Sequence, residues 1–340
     1  MSDVRIAIVI LNWNGKHFLE RFLPSVMQHS TGAAVYVADN ASTDDSIAFL
    51  TEKYSSVKQI LLDKNYGFAG GYNKALAQVD ADYFVLLNSD IEVTDGWINP
   101  VIQLMEKDKT IGACQPKLLS CTERDTFEYA GAAGGFIDRY GYPFCKGRIF
   151  QSLEKDQNQF DSTYEVFWAT GACLFVRASL YKELGGLDDD FFAHMEEIDF
   201  CWRLKIKGYK IMYCPESTVY HVGGGTLHKS NPRKTFLNFR NNFYLLYKNL
   251  PGKRLFPVFA ARLFLDGIAG FKFLLDGGFR DCFAVVKAHF AFYGAIGKLR
   301  KKRRQINPHP VSRIYKRNLV FEYFLRKKKK FSELDTEKFS

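Results

Sequence analysis

Acids and amides at the ends of apolar runs are the first residues in this chain that could do chemistry. Tyr83-Phe84-Val85-Leu86-Leu87 breaks off at Asn88-Ser89-Asp90. Such a run reads as a strand buried on both faces, as in a parallel sheet with helices above and below. Ligands of open α/β sheets sit beyond the carboxyl ends of the strands, so Asp90 stands where chemistry tends to occur. Taken alone, Asn-Ser-Asp reads first as an Asx-type turn. The pattern recurs, however. The run 5–11 ends at Asn12-Trp13-Asn14, and the run 35–38 ends at Asp39-Asn40. Three of the first four strands end in Asn or Asp, which turns alone do not explain. Downstream, Glu196, Glu197 and Asp199 open a helical segment, where i and i+3 share one face. The alternative is a helix N-terminus that collects acids against its dipole. His221 closes a short apolar run, a position that by itself is more often structural.

The elements that must carry these residues alternate strand and helix with short links through about residue 107, the pattern of a parallel sheet covered on both faces. The loop 65–73 holds Gly67, Gly70 and Gly71 and feeds a helix. A further helix is expected from Ser42 or Thr43, with one of them as cap. From 111 to 168 the pattern weakens into glycines and scattered charges. After 225 the chain turns helical and aromatic, with apolar stretches at 255–275 and 282–299. Charges at Arg262, Asp266, Lys272 and Lys287 interrupt both, so neither is a clean membrane span. Their composition suits helices lying in a membrane interface, with the question of spanning left open.

Charge divides the chain in the same place. Residues 1–225 hold 21 Lys and Arg against 30 Asp and Glu, while residues 226–340 hold 26 against 7. We therefore expect two chemically different parts, an acidic, motif-rich domain over 1–225 and a basic helical region over 226–340. Basic clusters at 300–304 and 326–330 suit an anionic membrane surface. No nucleic-acid recognition motif accompanies them. The seven cysteines show no Cys-x-x-Cys spacing, which argues against zinc or a redox pair and for a reducing, cytoplasmic setting. The apolar run 6–11 is too short for a signal peptide. Walker A, dinucleotide-binding and Gly-x-Ser-x-Gly motifs are missing.

Taken together the motifs resemble the family 2 glycosyltransferases of GT-A fold, especially their rhamnosyltransferase-like bacterial branch. The matching pieces are Val9-Ile10-Leu11-Asn12-Trp13-Asn14, Asp39-Asn40-Ala41-Ser42-Thr43-Asp44, the loop 65–73, Leu86-Leu87-Asn88-Ser89-Asp90, Thr170-Gly171-Ala172, the segment 192–203 and Val219-Tyr220-His221. The resemblance implies a nucleotide-sugar-binding catalytic domain over 1–225, built on a Rossmann-like, mostly parallel sheet flanked by helices. It implies inverting transfer of a sugar from a nucleotide-sugar (dTDP-rhamnose-like or a UDP-sugar) to a glycan, lipid-linked, at the inner face of the cell membrane. Asp39, Asn12 and Asn14 would bind base and ribose. Asn65, Gly70, Gly71, Asn73, Gly171 and Ala172 would line the donor, with Asn88 and Ser89 beside it. Asp90 and His221 would hold Mg2+ or Mn2+. Glu197 would be the general base, with Glu196 and Asp199 as runners-up. The family places aspartate where Glu197 stands. Two other readings remain: a nucleotidyltransferase, and a non-catalytic basic protein that binds membrane or nucleic acid.

Overall fold

The computed structural model describes residues 4–223 and 231–340. The expected boundary at 225/226 lies outside them. Seven elements alternate first: β1 (Ile6–Asn12), α1 (Lys16–His29), β2 (Ala33–Asp39), α2 (Ser46–Lys53), β3 (Lys58–Leu61), α3 (Gly67–Leu76) and β4 (Tyr83–Asn88). β3, β2, β1 and β4 lie side by side in that order, all parallel, and every residue of β1 from Ala7 to Ile10 is buried. Continuous burial on both faces explains the unbroken apolar runs. Helix α2 starts three residues later than a Ser42 cap would place it, with Asp45 at the cap position. The Ser42 amide is bonded to the Asp39 carboxylate at 2.8 Å, and Asp44 accepts the Ser46 amide at 3.1 Å instead.

Next come β5 (Ile91–Val93), α4 (Asn99–Lys107), β6 (Ile111–Ser120), β7 (Gly135–Asp138), β8 (Pro143–Cys145), β9 (Arg148–Ile149), β10 (Ser152–Leu153), β11 (Tyr164–Val166), β12 (Cys173–Arg177), α5 (Ala178–Glu183), α6 (Glu196–Ile206) and β13 (Lys210–His221). β12 runs antiparallel to β4 and β6, and β13 runs parallel to β6. Beyond β4 the nine-stranded sheet is therefore mixed, where the sequence leads one to expect mostly parallel pairing. The loop-rich 116–165 stretch contains four short strands, β7 to β10, that begin a second sheet.

The C-terminal part comprises α7 (Pro232–Asn249), α8 (Gly252–Leu275), α9 (Phe279–Ile306) and β14 (Ile314–Tyr315). β14 completes the second sheet alongside β7, and Phe331 and Phe339 pack on Phe136 and Phe144. Residues from both charge halves thus share one hydrophobic core. Two of the charges inside α8, Arg262 and Asp266, are turned inward, while Lys272 is exposed. Arg262 bonds Asp266 at 3.1 Å and the Tyr140 carbonyl at 3.0 Å, and His289 of α9 lies 3.4 Å from Asp266. The outward faces carry Phe264, Phe271, Phe283 and Phe290, each more than 60% exposed. Among the described residues α9 alone is long and apolar enough, by length and composition, to cross a membrane.

The basic clusters are partly consumed inside the protein. Lys302 reaches Asp188 at 2.5 Å and Asp190 at 2.7 Å, and Arg303 donates to the Tyr247 carbonyl. Arg326 and Lys328 both pair with Glu322. Only part of each cluster remains for an external anion.

Candidate active site

The ends of β1, β2 and β4 form the floor of the site. Asn12 and Asp39 are register partners on adjacent parallel strands, and the Asn12 amide donates to Asp39 at 3.0 Å. Asn14, in the left-handed region at φ 51°, accepts the Thr43 amide at 2.6 Å, which ties the two strand-end loops together. Asn40 donates to the Asn65 side chain at 3.1 Å and to the Gly67 carbonyl at 3.0 Å, so it sets the path of the third loop. Direct amide and carboxylate bonds between the ends of neighbouring strands therefore build this side.

The small residues lining the floor answer to packing as well as to any ligand. A side chain on Gly67 would strike the Phe192 ring at 2.6 Å, and one on Gly71 would strike Leu11 at 2.8 Å. Gly70 faces Tyr66 at 3.1 Å. Asn73, expected beside the donor, is committed elsewhere. Its amide donates to the Leu187 carbonyl and Asp189, and its oxygen accepts from Tyr181 and the Leu187 amide.

At the end of β4, Asn88 and Ser89 are half-buried and Asp90 is buried. His221, at the end of β13, brings Nε2 to 3.1 Å from Asp90 Oδ1 and Nδ1 to 3.2 Å from Glu128 Oε2. The second approach is within ion-pair distance but lacks hydrogen-bond alignment, so Nδ1 counts as unpartnered by geometry. Burial disfavours the imidazolium, but Glu128 and then Asp90 outweigh it and raise the His221 pKa to about 10. Burial pulls Asp90 upward too, yet the His221 charge wins and holds its carboxyl below the usual range.

Across from this pair stands the acidic segment. The main-chain N–H of Asn88 donates to the Ala172 carbonyl at 2.9 Å, and a Cβ on the neighbouring Gly171 would lie 3.6 Å from Glu197 Cβ. The Thr170-Gly171-Ala172 turn thus bridges the end of β4 to the start of α6. Burial lifts the Glu197 carboxyl to about 7, against the pull of main-chain N–H groups in the first turn of α6. Burial, and then the Glu197 charge, push Glu196 well above the normal range. One oxygen of each glutamate is buried without a partner. Two carboxyls of raised proton affinity at one crevice are a recognised mark of acid–base function.

Asp199 differs from both. It is fully buried and accepts from Arg203 at 2.9 Å, Lys248 at 2.9 Å and Asn249 at 2.8 Å. It anchors α6 to α7 and has no free face toward the crevice. The backbone leading into α6 is strained, with Phe192, His194 and Met195 all at positive φ of 64°, 70° and 74°. Each such residue costs about 1–3 kcal/mol unless its surroundings hold it. Asn241 of α7 supplies that hold, its amide nitrogen lying within 3.0 Å of the Phe191, Ala193 and His194 carbonyls. Arg240 donates to the Asp190 and Phe191 carbonyls, and Lys248 and Lys302 neutralise Asp188.

The Glycosyl transferase family 2 profile matches residues 7–185, more than half the chain. The chain belongs to glycosyltransferase family 2. An N-acetylglucosaminyl-diphospho-decaprenol L-rhamnosyltransferase of Mycobacterium tuberculosis is 28% identical over 240 residues, covering 65% of this chain and 76% of its own. Rhamnosyltransferase WbbL of Escherichia coli is 22% identical over 259 residues, covering 74% and 94%. Among solved structures, GalNAc-T7 with UDP, GalNAc and Mn2+ superposes with a TM-score of 0.65 at 17% identity. That match covers 95% of this chain and 57% of the other, so the chain spans little more than half of that structure. It establishes the GT-A fold.

In this glycosyltransferase the donor set at β4 and β13 suits a hard divalent cation. Among the described residues no group of three or more His, Cys, Asp or Glu forms a ready metal cage. Mg2+ seldom uses one. It takes one or two protein ligands plus substrate phosphates. Asp90 Oδ1 and His221 Nε2 are paired directly at 3.1 Å, so a cation held by both would take the place of the proton they share. Glu128, 3.2 Å from Nδ1, stands where a carboxylate would orient the imidazole as a ligand. Sequence reasoning missed Glu128, Asn241 and Lys248. Glu128 lies in the weakly patterned 116–165 stretch, and the other two act from a helix beyond the matched motifs.

Proposed function

We propose that the enzyme is an inverting, divalent-cation-dependent transferase that moves a sugar from a nucleoside-diphosphate sugar to a lipid-linked glycan. The observation that carries this is Glu197, a carboxyl with proton affinity near neutrality and one unpartnered buried oxygen, bridged by Gly171 to the strand end that bears Asp90. Inversion by single displacement needs a base on the face opposite the leaving group. Glu197 takes the proton of the acceptor hydroxyl as that oxygen attacks the anomeric carbon. Glu196, held protonated beside it, keeps the pair from carrying two charges. Asp39, Asn12 and Asn14 receive the base and ribose, and Asn65, Asn88, Ser89, Gly70, Gly71, Gly171 and Ala172 border the donor. Asn73 and Asp199 are assigned positioning roles, as their bonds require.

Asp90 and His221 would hold Mg2+ or Mn2+. A bound cation supplies Lewis-acid stabilisation of the departing diphosphate. The Mn2+ and nucleotide in the GalNAc-T7 structure support the same assignment by fold. The relative that acts on a diphospho-decaprenol supports a lipid-linked acceptor. The outward apolar faces of α8 and α9 support a peripheral place on the cytoplasmic face of a membrane.

The test is turnover of a panel of dTDP-, UDP- and GDP-sugars onto lipid-linked acceptors, with and without Mn2+. Metal-dependent transfer with inverted anomeric configuration is expected. A folded preparation that turns over none of them, or retains configuration, sinks the reading. Pyrophosphate release from a nucleoside triphosphate and a sugar phosphate would instead mark a nucleotidyltransferase.

A further inference from the structure

A groove of about 740 Å³ runs between the start of α7 and the start of α9, apart from the donor floor. Its walls are Phe236, Phe279, Phe283, Ala284 and Val286, with Cys282 among them. Arg233, Arg280 and Lys287 stand on its rim. All three cations are exposed, and none is paired with a carboxylate among the described residues. Each instead lies over an aromatic ring: Arg233 over Phe192 at 5.3 Å, Arg280 over Phe279 at 5.8 Å and Lys287 over Phe236 at 5.5 Å. Several other C-terminal basic residues, Lys248, Lys298 and Lys302 among them, do find acidic partners. An apolar trough edged by three uncompensated cations is complementary to an amphiphile with a multiply charged anionic head.

The groove also has a direction. Arg233 packs on Phe192, the ring that touches Gly67 and begins the strained segment leading to Glu197. Phe283, Val286 and Phe290 form an exposed apolar stripe along α9 at helical spacing. A charged head held by Arg233 lies beside the segment that leads to Glu197, and an apolar tail is matched by the stripe.

We propose that this groove is the acceptor-lipid site and takes a polyprenyl diphosphate. Arg233, Arg280 and Lys287 bind the diphosphate, and the first isoprene units lie on Phe236, Phe279 and Phe283. The sugar borne by the diphosphate then extends past Phe192 toward Glu197. The assignment rests on the lipid-linked acceptor reading above and adds the place and the chemistry of recognition.

The test uses the full chain with excess UDP and dTDP present to cover the donor floor, and three probes: geranylgeranyl diphosphate, geranylgeraniol and inorganic diphosphate. The first should bind at least about tenfold more tightly than either of the others, since head and tail each contribute. Arg233→Ala with Lys287→Ala should weaken it by about tenfold or more, because each removes a charge-assisted bond. Phe283→Asp should do likewise, and at an exposed position it leaves the fold intact. In turnover the double variant should raise the KM for a polyprenyl-diphosphate acceptor and leave the KM for the nucleotide-sugar unchanged. Equal binding of geranylgeraniol would mean a plain lipid-facing surface, and equal binding of inorganic diphosphate a simple anion site. Either result overturns the proposal, as does a double variant that binds like wild type. A chain that binds the isoprenoid diphosphate as described but transfers sugar to no lipid acceptor upholds the groove and sinks the function.

Discussion

The two sides of the crevice are built by opposite means. On the proposed donor side, residues that follow β1, β2 and β3 hold one another through direct side-chain bonds between neighbouring strand ends, such as Asn12 to Asp39 and Asn40 to Asn65. On the acid-pair side the segment before α6 runs through three residues of positive φ and is held by side chains some 50 residues downstream, Asn241 above all. One side needs only its own strands. The other stays in shape only while α7 and α9 press on it. Damage to the C-terminal helices should therefore reach catalysis through the base, with the donor floor unaffected.

The largest expected effect comes from removing the base. Glu197→Gln keeps the shape of the side chain and should lower kcat by about 10³-fold. Donor binding, read by thermal shift with nucleotide-sugar, should persist. If Asp199→Asn abolishes transfer with its fold intact while Glu197→Gln turns over near-normally, the sides have been assigned wrongly. Asp90→Asn should follow, with a loss of about 10²-fold and a higher Mn2+ requirement, since the amide is a weaker ligand for a hard cation. Added Mn2+ that restores none of the Asp90→Asn loss would speak against a metal role.

Asn241→Ala sharpens the contrast. It strips three carbonyls of one shared donor, at a cost of about 1–3 kcal/mol, and frees the strained segment. We expect kcat to fall about tenfold with the donor KM unchanged, together with a lower Tm. Asn12→Ala, on the other side, should raise the donor KM and leave the pH profile of kcat alone. If both variants move the same parameter, the two sides are not independent.

The strand-end residues of the proposed donor side stand out in the sequence because each closes a strand motif. Asn12 and Asp39 follow apolar runs at once and Asp90 comes three residues after one, and the sheet brings those ends together. Helix α6 with its acid pair was legible for the same reason. What held the pair was not. Asn241 and Lys248 look like ordinary polar positions of an aromatic helix, and only the tertiary fold turns them toward Ala193 and Asp199. Asn73 shows the reverse error: it sits in a matching motif, yet its bonds go to Leu187 and Asp189. The inward Arg262–Asp266 pair likewise could not be told from a solvated face, because periodicity fixes a stripe but not which neighbour covers it.

The smallest effect concerns stability, and it separates the sides by pH. Glu197 titrates near 7 in the folded chain and near 4.5 when unfolded. A carboxyl with a raised folded pKa binds its proton more tightly in the native state, so it costs stability as pH climbs from 4.5 and costs most above 7. Glu197→Gln removes that penalty. Its Tm should exceed that of wild type by about 2–4 °C at pH 8 and match it at pH 4.5. The same group should give the rate a limb rising tenfold per pH unit below about 7 and level above it, because the base acts only when unprotonated. Asp90→Asn, on the donor side, should keep that limb at the same pH even as it slows turnover. A limb that moves with Asp90 and stays put when Asn241 is replaced would reverse the division of labour drawn here.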